Sequence, residues 1–303
     1  MSGKTDLTIV IVNYNSVNDL CNCLDSLFTV SRNGLKIEVY VVDNKSHDGS
    51  ADMVERKFPQ VHLIKKKENP GFAKSNNEVL RLDGARYFLV LNPDVIVPPG
   101  SLQQMVAYLD SHPDTGIVGC KLLNSDGSLQ YSCRRFPDFL TIALRGIGAD
   151  KLFPRAAMFR RYFMADWDHS EVAEVDWVFG SCIMARQDAL HDIGLFDEGY
   201  FMYYEDVDLC YRMWNKWKVV YLPHIHMTHL YAHESHRISA IKLRLIHLKS
   251  AMRFFRKYGF FSTRPVLRQD ADEPLHAGAA CRSRALINES ARHGMNCKSR
   301  PHR

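Results

Sequence analysis

The sequence predicts an α/β fold built on a mostly parallel sheet with helices on both faces. Two observations carry this. Short β-rich runs alternate with helical patterns through the first half of the chain, and such alternation marks parallel strands joined by crossover helices. The chain is also long enough, at 303 residues with 46% hydrophobic and 24% charged residues, for one large globular domain or two small ones.

The elements follow in order. Residues 7–12 read as a strand, and 17–29 as a helix with Leu20, Leu24, Leu27 and Phe28 on one face. Strands at 37–42 and 61–64 enclose a helix at 51–58. A helix at 72–82, a strand at 87–91, a helix at 101–111 and a strand at 117–123 complete the alternation, with a last strand at 219–222. In open α/β sheets ligands bind beyond the carboxyl ends of the strands, so the residues after each strand are read for chemistry.

After the first strand stands Asn13-Tyr14-Asn15-Ser16, where a dinucleotide-binding fold would carry G-x-G-x-x-G. Asn15 or Ser16 suits a helix cap, and Tyr14 offers a ring to stack on a base. After the second strand, Asp48, Gly49 and Ser50 form a turn and cap. Asp43, at the strand end, can accept a hydrogen bond from the imide N–H of uracil or thymine. After the third, Pro70-Gly71 makes a turn and lets a helix start close to a ligand; Lys74 and Asn76 are either ligand contacts or surface polar groups. The fourth strand is apolar throughout and runs into Asn92-Pro93-Asp94. Asp94 is the hard oxygen ligand that Mg²⁺ or Mn²⁺ accepts when also binding diphosphate.

The stretch from Gly199 to Arg212 organises the rest. Tyr200, Phe201, Tyr203 and Tyr204 lead into Glu205, Asp206 and Asp208, which open a short helix. Acids there are stabilised by the unpaired N–H groups of the first turn. Alternatively, the aromatic residues wall a pocket floored by a carboxylate. Adjacent helix positions diverge by about 100°, so only one of Glu205 and Asp206 can face it. Downstream, His224, His226, His229, His233 and His236 cluster in a polar segment; His229 is the metal-ligand candidate, with His233 and His236 as phosphate contacts.

Ile238, Ile241, Leu245, Leu248, Met252 and Phe255 recur at helical spacing, with Arg237, Lys242, Arg244, Lys249, Arg253, Arg256 and Lys257 opposite. The stripe is expected to pack on the sheet domain and the basic face to meet an anionic membrane. Phe159 to Phe163 is a second candidate for membrane contact. Residues 264–303, rich in Arg, Ala, His and Ser without an apolar period, read as a disordered tail.

The net charge of +5 suits a phosphate-bearing ligand, an anionic surface or plain solvation. No apolar run approaches the roughly 20 residues of a membrane span, and the start has no signal-peptide layout. The eight cysteines are scattered without a C-x-x-C pair, against a zinc site or disulfide framework and for a reduced compartment.

Several blocks, in order, resemble the inverting nucleotide-sugar glycosyltransferases of family 2, which have a GT-A fold. They are residues 10–16, Val-Val-Asp43-Asn44 to Gly49, Asn69-Pro-Gly71-Phe72-Ala73, Leu-Asn92-Pro-Asp94, Asp176-Trp177-Val-Phe-Gly180, and Gly194-Leu-Phe-Asp197 to Asp206. Within that family the likeness is nearest to rhamnosyltransferases acting on lipid-linked sugars, through Arg135-Phe136-Pro137, Asp176-Trp177, residues 200–210 and 229–235. The resemblance implies a catalytic domain over residues 1–263, with a nucleotide-binding half to about 125, an acceptor half at about 126–235 and a C-terminal helix at about 235–258. It implies Asp206 as general base beside Glu205, and Asp94 with His229 on Mg²⁺ or Mn²⁺. Nucleotide-sugar contacts would come from Tyr14, Asn15, Asp43, Asn44, Gly71, Phe72, Asn76, Asn92, Trp177 and Gly180. Asn92 stands where many relatives carry a first acid, so the metal site has one charged ligand fewer. The implied donor is dTDP-rhamnose and the acceptor a polyprenyl-diphosphate-linked N-acetylglucosamine in surface polysaccharide assembly. The implied setting is the cytoplasmic face of the inner membrane, with no nucleic-acid partner. A UDP-hexose donor, or a non-catalytic adaptor, is the alternative; two acids as placed as Asp94 and Asp206 speak against an adaptor, which needs no base.

Overall fold

The computed structural model describes residues 5–29, 34–82, 84–230 and 240–265. In chain order these form β1 (Thr5–Asn13), α1 (Val17–Thr29), β2 (Ile37–Asp43), α2 (Ser50–Lys57), β3 (His62–Lys65), α3 (Phe72–Leu80), β4 (Ala85–Leu91), β5 (Val95–Ile96), α4 (Ser101–Ser111) and β6 (Thr115–Leu123). Then come β7 (Leu129–Gln130), β8 (Cys133–Arg134), α5 (Phe139–Gly146), α6 (Ala149–Leu152), α7 (Ala157–Phe163), β9 (Ala173–Glu174), β10 (Trp177–Val178) and β11 (Cys182–Arg186). Last are α8 (Gln187–Ile193), α9 (Glu205–Met213), β12 (Lys218–His229) and α10 (Ala240–Tyr258).

The central sheet runs β3-β2-β1-β4-β11-β6-β12-β5. β3, β2, β1 and β4 are mutually parallel, β11 is antiparallel to both neighbours, and β12 is parallel to β6. The parallel members are joined through helices because a tight turn cannot reverse the chain twice. Side chains alternate across the sheet. Leu7, Ile9, Ile11, Leu89 and Leu91 face one side, with Leu20 and Leu24 of α1 and Met105 and Leu109 of α4. α3 and α8 close the other side. Each fully buried Leu or Ile contributes about 1.5–3 kcal/mol relative to exposure.

Parallel strands end at one edge. The register Asn13↔Asp43 aligns the ends of β1 and β2, and Ile11↔Leu91 brings the end of β4 beside them. β12 reaches the same edge, and its pairing with β5 sets His229 opposite Val95, next to Asp94. On β6, a Cβ at Gly116 would sit 2.4 Å from Met213, and one at Gly119 would sit 2.7 Å from Val178. Those two glycines let α9 and β10 close onto the sheet.

The C-terminal helix differs from the expected packing. Ile241, Leu245 and Leu248 are 74%, 61% and 59% exposed, while Ala251, Phe254 and Phe255 are buried. Only the second half of the apolar stripe is covered. The packing face instead follows His247, Ala251, Phe254 and Tyr258, whose rings meet Tyr204 and Tyr211. Ile238, Arg237, His233 and His236 lie outside the described residues. The anchor is Asp208, fully buried, which accepts from Arg212 Nε (2.7 Å), Lys257 Nζ (2.6 Å) and the hydroxyl of Tyr258 (2.9 Å), so α9 and α10 are tied together.

Two further expectations change. Phe159 and Tyr162 are buried, so of the three rings in residues 159–163 only the half-buried Phe163 reaches the surface. Arg264, placed in the tail on composition, stacks on Trp214 at 3.9 Å and pairs with Asp176 at 2.9 Å. The remaining tail, 266–303, is outside the described residues.

Candidate active site

The loops at the strand ends hold one another before they hold anything else. Asp43 is buried and accepts from Asn13 Nδ2 (2.8 Å) and from the N–H of Ser46 (2.9 Å). Asn15 adopts a left-handed backbone (φ 54°), and its Oδ1 accepts from the N–H of His47 (2.7 Å). The first N–H of α1, at Val17, is accepted by Asp48 of the neighbouring loop (2.8 Å), so the cap also comes from across the strand ends. Asn44 is buried between Asn69 and Ser75 (3.2 and 2.7 Å), tying β2 to the start of α3.

Above these loops lies a crevice of about 80 Å³ lined by Tyr14, Asn44, Gly71, Phe72, Asn92 and Phe201. Five of those six were expected from sequence; Phe201 was expected only as part of the aromatic wall. Its carbonyl accepts from the N–H of Phe72 (2.8 Å). A Cβ on Gly71 (φ +93°) would lie 2.4 Å from that carbonyl oxygen. Only glycine allows this approach. The crevice opens past Tyr14 and Phe201 into a cleft of about 1050 Å³, whose far wall is α10 with Lys249, Arg253 and Arg256. Asn76 is fully buried and donates to the carbonyl of Phe72 within α3 (3.0 Å), so it supports the helix that carries Phe72. Trp177 is buried with its indole N–H on the carbonyl of Arg135 (2.9 Å).

Asp206 comes to the same place from the other side. The N–H of Gly180 donates to its Oδ2 (2.9 Å), and the N–H of Val207 to its Oδ1 (2.9 Å). A Cβ on Gly180 would touch Asp206 (3.4 Å) and the Phe72 ring (3.6 Å), so Gly180 sits between base candidate and crevice. Burial raises the Asp206 carboxyl above its ordinary value, outweighing the N–H groups of Gly180 and Val207 that pull it down. Glu205 is buried at the first position of α9. The turn before it is held by Tyr203 and Tyr204, both left-handed (φ 69°). Such backbone costs about 1–3 kcal/mol per residue and persists where surrounding packing dictates it; here Tyr204 is buried against Phe254.

Asp94 and His229 form a buried pair, Oδ1 to Nε2 at 3.3 Å. Gln130 fixes the ring. Its amide donates to the carbonyl of His229 (2.8 Å) and to Asn124 (2.7 Å), which leaves Oε1 to accept from Nδ1–H at 2.9 Å. Nε2 faces Asp94 Oδ1. Asp94 Oδ1 is buried and accepts no hydrogen bond among the described residues. An imidazole nitrogen and a carboxylate oxygen 3.3 Å apart are spaced as adjacent ligands of one small cation, which lie about 3 Å apart in octahedral geometry. Among the described residues there is no group of three or more acids, histidines and cysteines able to hold a metal, so other ligands must come from substrate or water, as is usual for cations that bind diphosphate. The residues fit such an ion.

The two acids share one end of the sheet. Asn92, two residues before Asp94, donates its N–H to the carbonyl of Ser181 (2.9 Å), and the preceding Gly180 holds Asp206. Residues the sequence did not single out complete the frame. Asn69 accepts from the N–H of Gly71 (3.0 Å), Asn77 clamps Phe196 and Glu198 to α3, and Gln130 orients His229. Asn69 braces its own turn, whereas Asn77 and Gln130 have partners far away in sequence that no local pattern marks.

A mostly parallel sheet with its loops gathered at one end of the strands is the GT-A arrangement. The chain belongs to glycosyl transferase family 2, whose model matches residues 8–168. It is 30% identical over 300 residues to the N-acetylglucosaminyl-diphospho-decaprenol L-rhamnosyltransferase of Mycobacterium tuberculosis (strain CDC 1551 / Oshkosh), covering 94% of each chain. It is 32% identical over 206 residues to rhamnosyltransferase WbbL of Escherichia coli (strain K12), covering 64% of this chain and 73% of that one. Its fold is similar to that of the mannosyltransferase PcManGT from Pyrobaculum calidifontis in complex with GDP-Man and Mn²⁺. That match has a TM-score of 0.56 and 19% identity over 98% of this chain and 77% of the other.

Proposed function

We propose that this chain transfers L-rhamnose from dTDP-rhamnose, with inversion, to a polyprenyl-diphosphate-linked N-acetylglucosamine. What supports the reading is that desolvated Asp206 and the Asp94–His229 pair both lie at the end of the sheet that holds the crevice, in a chain similar over 94% of its length to a rhamnosyltransferase. Asp43 and Tyr14 meet the thymine and Asn44, Gly71 and Phe72 line the donor. Mg²⁺ or Mn²⁺ on Asp94 and His229 would supply positive charge against the donor diphosphate. Asp206 takes the proton of the acceptor hydroxyl. The oxygen displaces the nucleoside diphosphate directly from the opposite face, so a β-L-linked donor yields an α-L-rhamnoside. Glu205 supports the turn that aims Asp206. Phe201 and the aromatic wall keep water from the sugar carbon.

A lipid-linked acceptor is met at a membrane, and we assign the cytoplasmic face of the inner membrane. No described helix is long and apolar enough to cross a bilayer. The exposed Ile241, Leu245 and Leu248 on α10, beside Arg244 and Lys249, suit peripheral contact with anionic lipid. A donor screen tests the reading. The protein, with Mg²⁺ or Mn²⁺ and lipid-diphosphate N-acetylglucosamine, is offered dTDP-rhamnose and each common UDP-hexose. Transfer from dTDP-rhamnose alone supports it. Transfer from a UDP-hexose alone replaces the donor, and no transfer or hydrolysis with any donor leaves a binding protein.

A further inference from the structure

Next to the Gly180 loop that holds Asp206 lies a cage whose two arginines no sequence motif marked. Arg134 on β8 has its guanidinium carbon 4.6 Å from the ring of Phe179, 4.9 Å from that of Phe163 and 5.6 Å from that of Trp177. Arg145 on α5 stacks over Tyr162 at 5.1 Å and Phe163 at 4.9 Å. Both arginines reach the hydroxyl of Tyr162, at 3.4 and 3.5 Å. Two cations thus converge on one phenol oxygen inside a wall of aromatic rings. The wall is continuous with the reaction centre: Phe179 is followed by Gly180, whose N–H holds Asp206.

The charges in the cage do not balance. Arg145 has a carboxylate partner, Asp150 at 3.2 Å. Arg134 makes no ion pair among the described residues; its Nε donates to the carbonyl of Tyr131 (3.3 Å). His247 of α10 closes the cage against Tyr204 (5.4 Å). Burial, and the charges of Arg145 and Arg134, hold its imidazole below the usual range, so it adds no charge of its own. Both arginines keep part of their surface in solvent, and Arg145 is 25% exposed. A guanidinium stacked on rings is held in place but keeps its in-plane N–H fork, and that fork matches a phosphate oxygen pair. The unmatched charge, the fixed forks and the position beside the base call for an anion that arrives with the acceptor.

We infer that Arg134 and Arg145 form the subsite for the acceptor's diphosphate, gripping the phosphates of a prenyl-diphosphate sugar while its hydroxyl lies against Asp206. This deepens the functional reading, because it rests on an acceptor that carries a diphosphate. It also predicts a division of labour between two phosphate sites: the donor diphosphate at Asp94 and the acceptor diphosphate at the cage.

The test reads binding, so it does not depend on which sugar is transferred. Affinities for farnesyl diphosphate, farnesol and dTDP are measured by titration calorimetry on wild type, Arg134→Gln, Arg145→Gln and Arg134→Lys, each checked for an unchanged melting profile. The proposal expects each glutamine variant to bind farnesyl diphosphate at least 10-fold more weakly, with dTDP affinity within twofold of wild type. Farnesol should bind all proteins alike. Arg134→Lys, which keeps the charge but loses the fork and the stacking, should fall between wild type and Arg134→Gln, and it carries the test if a glutamine variant does not fold. Unchanged farnesyl diphosphate affinity overturns the proposal. So does a loss that falls on dTDP, which would assign the cage to the donor. A donor screen without transfer would sink the rhamnosyltransferase reading and leave these binding results standing.

Discussion

Replacing Asp206 by asparagine isolates the proposed base. Its carboxylate accepts 2.9 Å hydrogen bonds from the N–H groups of Gly180 and Val207. Asparagine keeps an oxygen for one of them and is nearly the same size. The loss should therefore fall on chemistry, about 10²–10⁴-fold in rate for an absent general base, or about 2.7–5.4 kcal/mol of barrier at ~1.36 kcal/mol per decade. Because burial raises the carboxyl, kcat/KM of the wild type should climb with pH through a value above the ordinary carboxylate range and then level, as the ionised form is the active one. Asp206→Asn should lack that limb. Stability runs the other way. A carboxyl whose folded pKa is raised holds its proton more tightly folded than unfolded, so its contribution is favourable at low pH and is lost as pH rises through the folded value. Removing it should leave the melting temperature at neutral pH unchanged or higher. Sugar transfer and nucleotide release across the pH range, with Glu205→Gln as the milder control, read the rate and the acid limb, and thermal melting reads the stability. An Asp206→Asn protein with the wild-type rate, or with the same acid limb, refutes the assignment.

Three further perturbations follow from the same geometry. Gly71→Ala sets a methyl 2.4 Å from the Phe201 carbonyl at a left-handed φ, so the 199–204 loop must shift. A loss of more than about 1 kcal/mol in stability and a raised donor KM are expected by denaturant titration and kinetics, and a neutral result would mean the loop is not seated on Gly71 in solution. Asp208→Asn leaves Arg212 and Lys257 without their buried partner. A loss of about 3–5 kcal/mol is expected, and hydrogen exchange should speed in α10. Stripping divalent ions should abolish transfer, and Asp94→Asn should raise the Mn²⁺ needed for half-maximal rate by about 10-fold or more; full activity in excess chelator would exclude a metal at Asp94.

Much of the frame was readable because it is local. The helices at 17–29 and 101–111 have the expected bounds, since their apolar spacing and flanking turns leave no other choice. The strand ends named Asn13, Asp43 and Asn92–Asp94 because a parallel sheet places them together. What was not readable depends on partners remote in sequence. Strand β11 enters between β4 and β6, antiparallel to both, yet Cys182–Arg186 is short and runs straight into α8, so periodicity alone does not separate them. On α10 two apolar stripes overlap, and the choice fell to Tyr204 and Tyr211, which the helix cannot see from its own sequence. The resemblance implies Trp177 as a nucleotide-sugar contact, while its place in the Arg134 cage follows from the β8–β10 pairing, Trp177↔Arg134. The arginine cage needed β8, α5 and α7 brought together, and no spacing announces that.

Phe201 ties two parts of the site together. Its backbone is seated on Gly71 and Phe72 at the crevice, and three residues on the chain turns through Tyr204 into the helix that carries Asp206. Crevice and carboxylate are therefore the two ends of one short braced segment, and a change of side chain at either end is felt at the other.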